Sequence, residues 1–70
     1  MSKLWLNKEI YSIDDIIAAN QMYSNLAIIN CIEKEHYYFL SFENCYYAEE
    51  LTMKEYENYL IDLMISKNGN

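Results

Sequence analysis

The sequence has no proline and no arginine, one glycine (Gly69), one histidine and two cysteines in 70 residues. With no proline, no internal glycine and no low-complexity stretch, nothing marks a linker. Residues 1–70 therefore read as one small domain with frayed ends, about 67–70 being expected to be disordered. No apolar run approaches membrane-spanning length. The start, MSKLWLNKEIYS, lacks an apolar core segment and a small-residue cleavage site, so the expected compartment is cytoplasmic. The missing arginine bears on partners. Five lysines stand against eleven acids, for a net charge of −6. Such a chain repels a nucleic-acid backbone and lacks the usual bidentate reader of phosphate and guanine. No nucleic acid and no membrane is expected as partner; a basic peptide or basic protein surface is more compatible.

Groups for catalysis are equally scarce. His36, the only histidine, falls in a predicted hairpin turn, with no serine or cysteine at a triad-like spacing. Cys31 is expected to point inward from a strand as a small hydrophobe. Cys45 lies past the end of the strand pairing, and a cytosolic disulfide is disfavoured. Two cysteines and one histidine fall short of a four-ligand zinc site. The acid pairs Asp14–Asp15 and Glu49–Glu50 stand at helix starts, where the helix dipole favours them. No glycine-rich loop is present to cradle a nucleotide. The expectation is a non-enzyme with no catalytic residue, no metal and no cofactor.

What the chain does have is apolar and aromatic surface: 53% hydrophobic residues and eight tyrosines. KLWLN alternates as a short strand, with Leu4 and Leu6 on one face and Trp5 on the other. Ser12 followed by Asp15 forms a capping-box-like helix start, after which Ile13, Ile16, Ile17 and Tyr23 share a stripe containing Asn20. Asn20 reads as a satisfied, partly buried amide. LAIINCIEKEHYYFLSF reads as a β-hairpin turning around Glu33 to His36. With Ile32 opposite Tyr37, one face carries Ala27, Ile29, Cys31, Tyr38, Leu40 and Phe42. Thr52 and Glu55 form a second capping box, placing the second helix from there to about Ser66. The expected fold is α+β: a two-layer β-α-β-β-α arrangement, with a three-stranded sheet and two helices on one face. The helical crossover is expected to be right-handed, and the strand order stays open.

This plan leaves apolar residues uncovered. Trp5, Tyr37 and Phe39, with Ile28 and Ile32, fall on the sheet face away from the helices, and contiguous apolar surface of that kind marks interaction sites. On the second helix, Met53, Tyr56, Leu60, Leu63 and Met64 form the sheet-facing stripe, flanked by Ile61 and Ile65 on one side and Tyr59 on the other. Asn58 and Asp62 face away together. A polar strip of this kind is most often merely solvated. Its other reading is a partner-facing patch, with amide and carboxylate for orientation and tyrosine for contact area. The candidate partner-binding residues are therefore Asn58, Tyr59, Asp62 and Ile65 on the helix and Trp5, Tyr37 and Phe39 on the sheet.

The stretch YENYLIDLMI resembles the C-terminal signature of the small HxsD-like proteins that accompany radical-SAM peptide-maturation systems of the His-Xaa-Ser type. Tyr56, Asn58, Leu60, Ile61, Asp62 and Ile65 occupy the signature places. IYSIDDIIAA, Ile10 to Ala19, is similar to the family's helix start. Where the family pattern continues to an arginine, this chain has Ser66 and Lys67. The resemblance implies an accessory role in which a separate enzyme carries out the radical chemistry. The chain would bind that maturase, the precursor peptide, or both. The reading from another class is a structural or regulatory homo-oligomer such as a homodimer, its open sheet face meeting its own copy as a symmetric interface.

Overall fold

The computed structural model describes residues 2–68. Its elements run β1 (Ser2–Asn7), α1 (Ile13–Met22), β2 (Ile28–Glu33), β3 (Tyr37–Glu43) and α2 (Glu49–Asn68), an α+β fold. The sheet order is β1-β3-β2, with β3 antiparallel to both neighbours. The hairpin's second strand is thus central, and β1 and β2 are both edges. The expected fraying over 67–70 concerns in part Gly69 and Asn70, which lie outside the described residues.

Alternation along the strands sorts the sheet into two faces. Across the sheet, Leu4 stands beside Leu40 and Cys31, and Leu6 beside Tyr38 and Glu33. Leu4, Leu6, Tyr38, Leu40 and Phe42 join Ile16 and Ala19 of α1 and Tyr56 and Leu60 of α2 in one buried cluster. Burial fades along each row: Leu6 and Leu40 are fully covered, whereas Cys31 and Glu33 are exposed. The cause is the placement of α2, which lies against β1 and β3, while α1 packs on α2. Cys31, expected inward, therefore keeps its expected face and lacks a covering layer.

Two further expectations are corrected. The hairpin pairs Ile32 with Phe39 rather than Tyr37. Lys34 N–H donates to the Tyr37 carbonyl at 2.8 Å, leaving Glu35 and His36 at the tip. The turn is held at this position from outside the hairpin, where the His36 carbonyl accepts from Lys8 N–H at 3.0 Å. A slide of two residues preserves the pleat, so every side chain keeps its predicted face. The second helix begins at Glu49, three residues before Thr52. Thr52 is not a cap: it is buried, and both its N–H and its hydroxyl donate to the Ala48 carbonyl at 3.0 Å. Glu49 and Glu50 occupy the first turn, where the dipole favours acids. The Glu49 carboxyl is held below its usual range chiefly by a hydrogen bond from the Ser2 side chain, which ties β1 to this turn.

Ser12 caps α1 as expected, its hydroxyl accepting from Asp15 N–H at 3.2 Å. The stripe is narrower than expected. Ile16 and Ala19 are buried, with Tyr23 packed beside them, whereas Ile13 and Ile17 are exposed. A helix that rests on another helix buries a slimmer stripe than one lying flat on a sheet. The joint between the helices is aromatic and polar. Tyr56, fully buried, donates its hydroxyl to the Asn20 side-chain oxygen and approaches the Ile16 carbonyl at 3.5 Å. Burial pushes its phenol well above the ordinary range, with the nearby Cys31 thiol adding to the shift. Tyr56 also meets Phe42 and Tyr23 edge to face, at 5.2 and 5.6 Å between ring centres. After β3, Asn44 takes a left-handed conformation (φ 50°), which asparagine tolerates better than most residues.

Candidate functional site

The residues on the open face meet as the register dictates. Trp5 stands beside Phe39, which stands beside Ile32, so one row crosses the whole sheet. The Trp5 ring packs on Phe39 at 4.4 Å and meets Tyr37 edge to face at 6.0 Å. Trp5 is 56% exposed and Ile28 and Ile32 are each 51% exposed, values that an overlying element would not leave. The neighbouring row is polar: Lys3, Ser41 and Asn30. Lys3 Nζ lies 6.0 Å from the Phe39 ring, and Asn30 donates to the Glu43 carboxylate at 2.7 Å. The face is therefore an aromatic and aliphatic band with a polar border, the composition of an interface core and rim.

The helix candidates lie elsewhere. Trp5, Tyr37 and Phe39 form one cluster on the open face, while α2 packs against the opposite one. Asn58, Asp62 and Ile65 are exposed on α2. Tyr59 is half-buried, packed on the core and edge to face with Tyr23 at 6.1 Å. It belongs in part to the aromatic joint between the helices. Tyr23 in turn has its phenol raised by burial first, then by the Glu55 carboxylate and by Tyr59. The seven residues proposed from sequence thus divide between two separate surfaces.

Two features escaped the sequence reading. One is β2, of which only Ile29 is even partly covered. The uncharged run from Leu26 to Ile32 carried that signal, but pleat alternation assigned half of it to the core. The other is a cleft of about 440 Å³ between the end of α1 and the start of α2, lined by Met22, Leu26, Tyr47 and Leu51 with Glu55 at its side. Nothing in the spacing of these residues announces it.

Among the described residues, no group of three or more histidines, cysteines and acids is placed to hold a metal. His36 is exposed at the hairpin tip beside Glu35 at 3.2 Å. Both cysteines are free, and the Cys31 thiol, although its residue is exposed, is pushed up by partial desolvation and then by Glu33, which suppresses the reactive thiolate. No helix among the described residues is long and apolar enough to cross a membrane. No protein-family model, curated protein or solved structure matches the chain.

Proposed function

We propose that this chain is a non-catalytic, cytoplasmic binding module of a peptide-modifying, radical-SAM type maturation system, taking the maturase, the precursor peptide or both. The observation that carries the reading is the uncovered row Trp5–Phe39–Ile32 with Tyr37 beside it. Large, rigid rings held in contact on an open sheet supply area at little entropic cost, the property of interface anchors. The charge of −6 favours a basic partner, and the polar border orients it. The resemblance of Tyr56, Asn58, Leu60, Ile61, Asp62 and Ile65 to the HxsD-like signature supplies the class of system. Asn58 and Asp62 offer a second contact on the far side of the molecule, so one module can hold two components at once.

The test is affinity capture of the tagged full chain from its native host, followed by mass spectrometry. A radical-SAM enzyme or short precursor peptide, recovered with the unaltered chain and lost with Trp5→Ala, supports the reading. Recovery of only untagged copies of the chain ends it.

A further inference from the structure

Among the described residues, strand β2 differs from every other element in having little cover on three sides: neither face is shielded beyond Ile29, and one edge has no neighbour. Its backbone polarity follows from the hairpin. Lys34 and Tyr37 form a hydrogen-bonded pair, so alternation directs the backbone groups of Ile32, Asn30 and Ile28 toward β3. Those of Ile29, Cys31 and Glu33 point outward, where no other backbone among the described residues meets them. The run from Ile28 to Ile32 holds no charge, proline or glycine. Edge strands are commonly protected by a lysine or proline, and β2 has neither.

We infer that β2 is a self-pairing edge, joining antiparallel to β2 of a second copy so that two three-stranded sheets become one of six strands. The occupant is set by the strand's complementarity to itself. A two-fold axis normal to the sheet keeps open face with open face and opposes outward-directed residues to one another. Setting Asn30 opposite Asn30 of the second copy places Ile28 opposite Ile32, and Ile29 opposite Cys31. Apolar side chains then meet on both faces, two amides meet at the centre, and Glu33 falls opposite Ala27, apart from its own counterpart. The register one step away sets Cys31 opposite Cys31, but places Ile28 against Lys34, Asn30 against Ile32 and Glu33 against Ile29. Those polar-on-apolar pairs disfavour it. Each copy carries −6, a repulsion screened beyond about 8 Å at physiological ionic strength. Edge pairing leaves the Trp5 row free and extends it across the axis with Ile28 and Ile32 of both copies. The contact does not depend on what that face binds.

The test uses the full chain at physiological salt. Light scattering and sedimentation over rising concentration should give twice the 8.4 kDa chain mass. A single-chain mass throughout overturns the inference. The register is read by mild oxidation of Asn30→Cys in a background of Cys31→Ser and Cys45→Ser. Opposed residues there lie about 4.5 Å apart at Cα, within disulfide range. Rapid covalent dimer from this variant, with little from the native Cys31, supports the pairing; the reverse overturns it. Cys31→Pro removes an outward N–H without breaking a bond to β3, and Ile32→Lys sets a charge against Ile28. Each should raise the dimer dissociation constant about tenfold or more while a cooperative melt persists. A dimer untouched by Ile32→Lys, whose side chain is already exposed, refutes the edge even if Cys31→Pro does not fold. Trp5→Ala should leave the dimer mass unchanged, which separates failure here from failure of the partner reading.

Discussion

The two edge strands, β1 and β2, are equal in length, flank the same central strand and pair with it in the same antiparallel sense, yet they are stabilised differently. β1 buries Leu4 and Leu6 under α2 and ends at Asn7, with Lys8 just beyond it. β2 buries none of its residues fully. β1 also carries Lys3 on its open side, a charge that discourages strand addition, and Lys8 reaches from its end to Glu33 at 2.6 Å. A 20-residue helix is about 30 Å long but only about 10 Å wide. One such helix covers two strands, and a second that leans on the first leaves the third bare. The difference between the edges is a difference in what lies above them.

The comparison breaks most sharply on the covered side. Leu6→Ala should lower unfolding free energy by about 2–5 kcal/mol, as for other buried leucines. Ile32→Ala should cost under about 1 kcal/mol in the monomer, because its side chain is already half in water. Urea unfolding of both variants decides it: equal losses would mean that β2 is covered after all.

Tyr56→Phe comes next. It leaves the Asn20 oxygen without its donor inside the covered region, at a cost of about 1–3 kcal/mol. It also changes the alkaline limb. Folding raises the phenol above its ordinary 10.0, so the unfolded chain releases this proton first. The stabilisation is present below pH 10 and is lost as pH rises from there toward the folded value. Unfolding measured from pH 8 to 11.5 should decline less steeply in the phenylalanine variant. Parallel declines would assign the loss to the other tyrosines.

Smaller effects separate the surfaces. Tyr59→Ala removes an edge-to-face pair and part of the helix joint, for about 1 kcal/mol. Asp62→Ala, four residues from Asn58 on the outer face, should stay within about 0.5 kcal/mol. A thermal melt of the two single variants ranks them, and an Asp62 loss as large as that of Tyr59 would place the carboxylate in a structural role. Smallest in stability is Lys3→Val, which should barely move the melt. It sharpens the contrast of the edges by a different readout: scattering at high concentration should reveal new association through β1.

These contrasts mark where sequence was a sufficient guide. Pleat parity was legible, because Leu4 and Leu6 alternate with Trp5, and Tyr38, Leu40 and Phe42 with Tyr37 and Phe39. Parity survives even a two-residue slide, so Ile32 shares a face with Phe39 and Tyr37 whichever of the two it pairs with. Position across the sheet was not legible. Cys31 and Leu40 look alike to alternation, and only the strand order, a long-range choice, makes one central and the other marginal. Thr52 shows the complementary failure. Its capping pattern was real as spelling, but two acids upstream start the helix sooner and turn the threonine into an interior residue bonded to the preceding turn. By angle alone Tyr59 only flanks the sheet-facing stripe, whereas the ring of Tyr23, at the C-cap of the other helix, draws it inward. The stretch that resembles the HxsD-like signature mixes both kinds of residue, since Tyr56 and Leu60 are core while Asn58, Asp62 and Ile65 are exposed.

The single tryptophan has an optical consequence. Because Trp5 lies on the bare face and eight tyrosines are distributed through the rest of the chain, indole emission samples one patch alone. Unfolding a ring that is already half wet should shift its colour little. A visitor that covers it should drive the band to shorter wavelength and hide it from an aqueous quencher such as iodide. The unlabelled chain therefore carries its own occupancy gauge, one that tells docking from melting.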